Sequence, residues 1–353
     1  MQENTTLIAG GCWMEQTAID QLNKTAALPG VIRAVGLPDL HAGKIPVGIA
    51  LETQGILYPH LIGGDIGCGM SLFQTSCALR RYKADRFVTR LNHIRALEEL
   101  PLTQALPDCP LAAPGTIGGG NHFAEFQRVE EVLDPEAFRQ LGIDRERLLL
   151  LIHSGSRDYG QRIRDAWPGE KGLEADSEAG RDYLNRHDDA LRWAVINRRL
   201  AGEKLMTVLG YDPGLTPVID CCHNFVERRG ESWLHRKGTV AAQGITVLPG
   251  SRGSLTYLLK PAADASLSAW SLSHGAGRKW ARSLCRSRIA GKYDRDTIRR
   301  TQLGSRVVCH DTGLLYEEAP EAYKKVEKVL SALVDSGLCT VVASLRPLVT
   351  YKG

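Results

Sequence analysis

Three short apolar segments, each followed by a histidine, constrain the fold of this chain more than any other feature of its sequence. Residues 148–152 lead to His153, residues 217–220 lead through a cysteine pair to His223, and a shorter run precedes His274. Short apolar runs bounded by polar or glycine-rich stretches are typical of buried strands. Because functional residues often lie where strands end and loops begin, we expect these histidines to meet at one rim of a sheet.

A glycine-rich segment, residues 62–70, carries Asp65 and Cys68 three positions apart. Its four glycines allow positive φ angles and a close approach of the backbone to a small ligand. A carboxylate beside a thiolate suits a transition-metal ion better than magnesium or calcium. Taken alone, the pair is better explained as a glycine-rich turn with a buried structural cysteine, so the metal interpretation depends on the histidines.

The histidines supply the remaining donors that such a site needs. His122 follows a second glycine run, and His153 and His223 follow apolar segments. Neutral imidazoles with a thiolate and a carboxylate form a ligand set for Mn, Fe, Co or Zn. Each histidine alone is more often a hydrogen-bonded polar residue than a ligand, and single ligands spread along a chain have no diagnostic spacing. Their number beside glycine-rich segments favours a metal site.

Several glycine and serine segments are suited to binding phosphate. Residues 154–156, 249–251 and 275–277 offer backbone N–H groups to an anion. His274 differs from the other histidines because glycines and Arg278 follow it. A histidine that attacks a nucleotide phosphate needs such anion-binding groups near it. The alternative for His274 is a histidine in a helix-capping loop.

The composition is that of a globular protein of 353 residues, with 43% hydrophobic and 24% charged residues. The net charge of +4 does not indicate a nucleic-acid partner, but residues 278–306 contain ten lysines and arginines against two aspartates. That excess suits either a phosphate backbone or a solvated helix face. The nine cysteines show no disulfide or zinc-finger spacing. Without a signal peptide or an apolar run of membrane-spanning length, we expect a cytoplasmic location.

The sequence pattern predicts an α+β fold in which residues 1–353 form one compact domain, with mixed and antiparallel sheets around a central metal and nucleotide cleft. Helices are predicted for residues 12–28, 181–200 and 320–336, and residues 80–100 are predicted to form a helix or a helix pair. Strands are predicted for residues 31–35, 148–152, 217–220 and 341–345, with a strand, loop and strand across residues 247–257. Loops are predicted for residues 37–43, which include Asp39 and His41, and for residues 235–238.

From residue 13 to residue 353 the sequence resembles the RtcB family of RNA ligases. Ordered motifs carry the resemblance, at residues 38–43, 64–70, 115–125, 153–157, 223–224, 235–238, 249–251, 273–278, 318–324 and 346–353. The resemblance implies an enzyme that joins RNA 3′-phosphate or 2′,3′-cyclic-phosphate ends to 5′-hydroxyl ends. It implies GTP and two Mn²⁺ ions as cofactors.

The resemblance also implies roles for individual residues. His274 would be the nucleophile that takes GMP from GTP, and guanine would stack on Tyr323 while Glu125 and Lys352 contact its edge. The implied manganese ligands, with the Cys68 thiolate bridging two ions, are Asp65, Cys68, His122, His153 and His223. The implied nucleotide-binding residues are Asn121, Glu125, Asn224, Pro249, Gly250, Ser251, Thr256, Gly275, Gly277, Tyr323 and Lys352. The implied RNA contacts are His41, Arg157, Arg236, Lys237 and Arg278.

The sequence departs from the family pattern at four positions. Where the family commonly has glycine, histidine, methionine and serine, this chain has Asp158, Gln161, Arg252 and Thr256. None of these changes removes an implied metal ligand or His274, so we expect them to affect the choice of substrate. The segment between His153 and His223 is short, which suits a branch of the family associated with release-factor-like proteins. RNA repair rather than tRNA splicing is the role expected of that branch.

Two other functions remain open from the sequence. The first is a metallohydrolase that opens RNA cyclic phosphates without joining ends. The second is a non-catalytic RNA- or ribosome-binding protein that uses the basic segment at residues 278–306. For the ligase, RNA is the expected substrate, and a small activating protein of the archease type is a further expected partner.

Overall fold

The computed structural model describes residues 3–103, 105–106, 108–294 and 296–353. Arg295, one of the basic residues counted above, lies outside the described residues. The strands are β1 Thr5–Leu7, β2 Val31–His41, β3 Val47–Gln54, β4 Ile56–Leu57, β5 Gly69–Ala78, β6 Phe123–Val132, β7 Arg147–Ser154, β8 Leu173–Glu174, β9 Thr216–Cys222, β10 Asn224–Arg229, β11 Ser232–Lys237, β12 Thr239–Ala241, β13 Thr246–Pro249, β14 Thr256–Pro261, β15 Ser271–Ser273, β16 Arg306–Cys309 and β17 Cys339–Lys352.

The α-helices are α1 Gln16–Ala26, α2 Pro59–Ile62, α3 Ala84–Asn92, α4 Pro135–Gln140, α5 Asp158–Ala166, α6 Glu178–Val208, α7 Arg282–Ile289, α8 Thr312–Glu317 and α9 Val326–Asp335. Short 3₁₀ helices lie at Leu79–Arg81, Leu97–Glu99, Ser266–Ser268, Thr297–Arg299 and Pro320–Ala322. In the described part of the chain no helix is both long and apolar enough to cross a membrane. Helices and two main sheets thus share the chain, and the predicted α+β class is confirmed.

Two sheets carry most of the strands. The first has the order β1-β2-β3-β11-β10, with β1 parallel to β2 and the other pairs antiparallel. The second has the order β13-β14-β17-β6-β7-β5-β9, and β16 adds to it by pairing with β17. The chain passes from one sheet to the other at His223, which lies between β9 and β10. At that crossing the two sheets lie side by side, and the candidate site described below is found there.

Strand β7 explains why residues 148–152 are apolar at every position. Alternate side chains of a strand point to opposite faces of the sheet. Leu148, Leu150 and Ile152 pack in one hydrophobic cluster, which also holds Leu205 of α6. Leu149 and Leu151 pack in a second cluster on the other face. Both faces of β7 are therefore buried, and the prediction of a buried strand is confirmed.

Two predicted loops are strands in the structure. The segment at residues 37–43 belongs mostly to β2, which pairs with β3 through a register shift between Gly36 and His41. Asp39 is fully buried in this irregular stretch. The segment at residues 235–238 belongs mostly to β11, between β3 and β10. The charged residues of this segment predicted an exposed loop. Arg236 is instead buried in the strand, where it forms a salt bridge of 2.7 Å with Glu227.

Three predicted helices are shorter than the sequence pattern indicated. The helix predicted for residues 12–28 is α1, which covers Gln16–Ala26. In the 320–336 segment the chain turns once as a 3₁₀ helix and becomes extended at Tyr323, so α9 begins only at Val326. The cause is a bridge between Arg278 and Tyr323, together with a hydrogen bond of 2.9 Å from the Lys324 N–H to the Gly277 carbonyl. In the 80–100 segment, α3 covers only Ala84–Asn92, and a 3₁₀ turn lies on each side of it. Helix α6 is instead longer than predicted and spans 31 residues.

Candidate metal and nucleotide site

The register of the eight-stranded sheet assembles the candidate metal ligands. Gly69, at the start of β5, lies opposite Ser154 of β7 and Cys222 of β9. Phe123, at the start of β6, lies opposite His153. Because neighbouring strands are antiparallel, the starts of β5 and β6 meet the ends of β7 and β9 at one edge. The side chains of Cys68, His122, His153 and His223 therefore gather there, as the sequence predicted for the strand-end histidines.

The thiol lies at the centre of this cluster. Cys68 Sγ is 3.2 Å from His122 Nε2 and 3.2 Å from His153 Nε2. His153 Nε2 is in turn 3.3 Å from His223 Nε2, and Asp65 Oδ2 is 3.0 Å from His122 Nε2. One donor atom from each of Cys68, His122 and His153 lies within 4.8 Å of the others. The predicted ligands thus lie next to one another in space, in the order Asp65, His122, Cys68, His153, His223.

Burial decides which protonation states these groups favour. It lowers the pKa of His153 and of His223 well below the usual value, with neighbouring histidines adding to the effect, so both imidazoles are neutral at neutral pH. Burial, together with Asp65, raises the pKa of the Cys68 thiol well above its usual value. Burial opposes ionisation of Asp65, but the charge and hydrogen bond of His122 outweigh it and lower the pKa of this carboxyl.

Two side chains of α6 hold the loops that carry these ligands. The Arg198 guanidinium is fully buried and donates to the carbonyls of Gly67 (2.8 Å) and Ser154 (2.9 Å), next to Cys68 and His153. It also forms a bidentate contact of 2.9 and 3.0 Å with Asp220. Asn197, also fully buried, bonds to Gly115 N at 2.8 Å and to Gly155 O at 3.1 Å. Helix α6 thereby fixes the positions of three separate loops.

His274 follows β15 and is oriented by a buried carboxylate. Asp39 Oδ2 accepts from His274 Nδ1 at 2.7 Å and from the His274 N–H at 3.2 Å. Burial raises the pKa of Asp39, but the hydrogen bond and charge of His274 outweigh burial and lower it overall. Because Nδ1 is engaged, Nε2 is the ring nitrogen left for chemistry. Gly277 allows this approach, since a Cβ at its φ of +68° would clash with the Asp39 carbonyl.

The His274 ring continues the line of imidazoles. The ring centroids of His274 and His223 are 4.6 Å apart, those of His223 and His153 are 5.0 Å apart, and those of His153 and His122 are 4.8 Å apart. A candidate nucleophile thus lies directly beside the candidate metal ligands.

These groups open into one cavity of about 330 Å³. Most residues with a predicted role line it, namely His41, Asp65, Cys68, Asn121, His122, Glu125, His153, His223, Asn224, Lys237, Pro249, Gly250, Ser251, His274, Gly275, Gly277, Arg278, Tyr323 and Lys352. Three do not line it. Thr256 is buried behind it and accepts from Gln127 at 2.8 Å, and Arg157 contacts His122 Nδ1 at 3.0 Å from the far side.

Arg236 is the third predicted site residue that does not line the cavity, and the structure does not support its predicted RNA contact. Its guanidinium is fully buried and is held by Glu227, by Ser271 at 2.9 Å and by the Trp270 carbonyl at 3.1 Å. It is therefore a structural cation. Of the family departures, Arg252 lines the cavity, whereas Asp158 and Gln161 lie on α5 outside it.

Tyr323 and several charged side chains line another part of the cavity. The Tyr323 hydroxyl bonds to Glu318, and Arg278 Nη1 is 3.1 Å from that hydroxyl and 3.0 Å from Glu318. Burial, with the negative charge of Glu318, raises the pKa of Tyr323, so its hydroxyl remains neutral. Burial lowers the pKa of Lys352, whose ammonium donates to the His122 carbonyl at 3.0 Å.

Sequence reasoning gave no role to several residues that build this cavity. Glu318, Arg282 and Thr350 line it, and Asp39 orients His274 from a segment that was predicted to be a loop. Glu318 begins the motif at residues 318–324, and that position was the sequence signal that could have identified it as a site residue. For Asn197 and Arg198, no signal in an Arg-rich helix distinguished the buried side chains from the exposed ones.

Together, the fold and this site define an α+β protein in which candidate transition-metal ligands, a carboxylate-held histidine and basic groups share one cavity. The sequence profile of the family described as tRNA-splicing ligase RtcB matches residues 21–105 and 109–353. The chain belongs to the RtcB family.

Two curated relatives extend this comparison over nearly the whole chain. The chain is 44% identical over 362 aligned positions to RNA-splicing ligase RtcB2 of Escherichia coli strain ATCC 25922, covering 98% of this chain and 95% of that protein. It is 25% identical over 446 positions to tRNA-splicing ligase RtcB of Archaeoglobus fulgidus, covering 96% of this chain and 92% of that protein.

Proposed function

We propose that this protein is an RNA ligase that uses GTP and Mn²⁺ to join RNA 3′-phosphate or 2′,3′-cyclic-phosphate ends to 5′-hydroxyl ends. Family membership and the names of both relatives support ligation of RNA. The single observation that carries the chemistry is the Asp39–His274 pair, whose imidazole lies with its ring centre 4.6 Å from that of His223, a candidate metal ligand.

The donor set fits a transition-metal ion. His153 donates from Nδ1 to the Asn121 carbonyl at 3.2 Å, which leaves its Nε2 lone pair facing Cys68 and His223. Metal binding through His122 Nε2 requires a proton on Nδ1, which the Ile117 carbonyl 3.0 Å away accepts. The Arg157 guanidinium, which only donates and lies 3.0 Å from the same nitrogen, must then move away from Nδ1. The ligand atoms of Cys68, His122 and His153 lie within 4.8 Å of one another in a buried site, the convergence of sulfur and imidazole donors that such an ion needs. The fit favours a soft or borderline metal over magnesium.

Asp65, Cys68, His122, His153 and His223 would hold two manganese ions, with Cys68 shared. The central position of Cys68 between His122 and His153 supports the shared role. Bound manganese would supply positive charge that stabilises the negative charge on phosphoryl oxygens during transfer.

The nucleotide would occupy the wall opposite these ligands. Tyr323 offers a ring for guanine to stack on, and Glu125 and Lys352 offer an acceptor and a donor for its edge. Glu125 is 5% exposed and is already held by Thr350 at 2.5 Å and Gln127 at 2.7 Å, which fixes its orientation. The N–H groups of residues 275–277 and the Arg278 guanidinium would bind phosphate oxygens. The remaining proposed nucleotide contacts are Asn121, Asn224, Pro249, Gly250 and Ser251. Thr256, which does not line the cavity, instead accepts from Gln127, the residue that also holds Glu125.

The proposed reaction consists of three displacements. His274 Nε2 attacks the α-phosphate of GTP, forming a nitrogen–phosphorus bond and releasing pyrophosphate. A 3′-phosphate oxygen of the RNA then displaces His274 from the GMP. The 5′-hydroxyl oxygen of the second RNA finally attacks the activated 3′-phosphate, forms the phosphodiester bond and releases GMP. A cyclic phosphate must first be opened by water to the 3′-phosphate.

A joining assay tests this proposal. RNA strands with 3′-phosphate or cyclic-phosphate ends and 5′-hydroxyl ends are incubated with protein, GTP and Mn²⁺. Joined product is expected from the wild type and not from His274→Ala. Opening of cyclic ends without any joined product would instead indicate an end-processing hydrolase, and RNA binding without either reaction would indicate a non-catalytic binding protein.

A further inference from the structure

A second groove adjoins the catalytic cavity. It has a volume of about 1300 Å³ and runs along the segment before α1, the β2–β3 turn and the start of α7. It shares His41, Val47, Arg278 and Arg282 with the catalytic cavity. Trp13 and Trp280 line its walls, and we call it the Trp13 groove. A strand leaving the catalytic cavity has a continuous path into this groove.

Trp13 is held in place at the backbone while its indole remains exposed. Cys12 before it is buried in one hydrophobic cluster, and Met14 after it packs against another. Trp13 itself is 57% exposed and is the only aromatic residue among the large exposed hydrophobic side chains of the described chain. Within that same described part, no aromatic ring or cation lies in stacking contact with its indole. A fixed, uncovered ring is what a base needs in order to stack.

The charge of the groove suits a phosphate backbone. Its cationic residues are Lys44, Arg278, Lys279, Arg282 and Arg288, against the single carboxylate of Glu15. Arg278 and Arg282 pair with Glu318. For the other three, no carboxylate of the described residues lies within salt-bridge distance. The Arg288 guanidinium and the Lys279 ammonium lie over the Trp280 ring, 4.9 and 5.5 Å from its centre, so Trp280 is in contact with cations and Trp13 is the uncovered ring of the groove.

We propose that the Trp13 groove binds the single-stranded segment of RNA next to the ends being joined. A base stacks on Trp13, and Lys44 and Arg288 contact phosphates on either side. This inference rests on the proposed function, because it takes RNA as the substrate in the adjoining cavity. Exposed aromatic rings interleaved with unpaired cations are the usual means of binding single strands without sequence preference. An apolar protein partner would leave these cations without matching charges.

The experiment measures the binding of a short single-stranded RNA by fluorescence anisotropy in the absence of GTP. Trp13→Ala is expected to weaken binding by roughly five- to a hundredfold, the range for loss of one stacked base. Trp13→Phe keeps an aromatic face and is expected to lose much less. Lys44→Ala and Arg288→Ala are each expected to reduce the slope of log affinity against log salt by about 0.7.

Matched controls come from exposed residues elsewhere. Leu267 is 49% exposed, and Arg139 and Arg145 are exposed cations outside both cavities. Their alanine variants are expected to bind RNA as the wild type does. RNA binding by Trp13→Ala equal to that of the wild type would overturn the inference.

Labelling with GTP separates this failure from failure of the proposed function. If the wild type takes up GMP and joins RNA while Trp13→Ala binds RNA normally, the groove inference is wrong and the ligase proposal stands. If the wild type takes up no GMP but its RNA binding depends on Trp13, the ligase proposal is wrong and the inference that the Trp13 groove binds RNA stands. A Trp13→Ala protein that still accepts GMP has an intact nucleotide site, so its loss of RNA binding reports on the groove.

Discussion

At the scale of single residues, the site depends on one carboxylate that holds a histidine and one thiol that lies between imidazoles. Asp39 accepts from both the ring and the backbone of His274, so it fixes the ring nitrogen that carries the proton. Cys68 lies 3.2 Å from two imidazole nitrogens, which makes it the residue that both proposed metal ions would share.

Asp39→Asn is predicted to slow transfer of GMP to the protein by about 10²- to 10⁴-fold. The amide removes the negative charge and presents an N–H that favours the wrong tautomer of His274. The rate of labelling by GTP measures this effect, with Asp20→Asn on the exposed face of α1 as the control. A rate for Asp39→Asn equal to that of the control would refute the positioning role.

Metal binding is predicted to release about one proton at pH 8, and the affinity is predicted to fall about tenfold per pH unit below it. The raised pKa of Cys68 means that the thiol carries a proton that the metal must displace, so affinity rises with pH up to that pKa. The neutral imidazoles of His153 and His223 release none.

Calorimetry in buffers of different ionisation enthalpy counts the released protons. Cys109→Ala, which alters a thiol outside the cavity, is expected to release the same number as the wild type. Cys68→Ala is expected to bind no manganese while largely keeping its fold. An affinity that does not change between pH 6 and pH 8 would contradict the thiolate role.

At the scale of secondary-structure elements, α6 organises loops that the sequence did not connect. Its fully buried Arg198 bonds to carbonyls beside two proposed ligands and to the partly exposed Asp220 of β9. Burial alone would lower the pKa of this guanidinium, but the charge of Asp220 outweighs it and keeps the pKa raised. The helix therefore acts as a brace across β5, β7 and β9.

Arg198→Ala is predicted to destabilise the protein by about 2–4 kcal/mol, because it leaves two buried carbonyls without their donor, whereas the partly exposed Asp220 remains solvated. Arg192→Ala on the same helix removes an exposed salt bridge to Asp189 and is predicted to cost less than about 1 kcal/mol. Denaturant unfolding of the two variants gives the comparison. Equal losses would show that Arg198 does not brace the loops.

The elements also show what sequence reasoning can and cannot reach. Residues 148–152 were predicted correctly as a strand because both faces of β7 are buried and nothing interrupts the apolar run. Residues 235–238 were not, because the buried charge of Arg236 is compensated by Glu227, nine residues earlier on the neighbouring strand β10. The 320–336 helix was predicted too long because pairing between Arg278 and Tyr323 overrides local helix preference. Tertiary contacts of this kind leave no local pattern.

At the scale of the whole molecule, the site lies where the two sheets meet. The eight-stranded sheet carries Cys68, His122 and His153 at the ends of its strands, and the five-stranded sheet carries Asp39. His223 lies at the crossing between the two. The motifs predicted most residues that line the cavity, but not that one sheet supplies Asp39, the partner of His274, while the other supplies most of the candidate metal ligands.

Manganese is predicted to stabilise the folded protein, since ligands from several strands are joined only in the native state. A free concentration of one hundred times the Kd is expected to add about 2.7 kcal/mol to the free energy of unfolding. Thermal denaturation with and without Mn²⁺ measures this, and Cys68→Ala serves as the variant that should show no shift. A shift of the same size in that variant would place the metal elsewhere.

The central claim is that His274 forms a covalent bond to GMP, and peptide mass spectrometry after incubation with GTP and Mn²⁺ tests it most directly. The wild type is predicted to carry GMP on the peptide that contains His274, and His93→Ala, which alters an exposed histidine on the surface, is predicted to do the same. His274→Ala is predicted to carry none. GMP on any other residue, or an unlabelled wild type, would contradict the account.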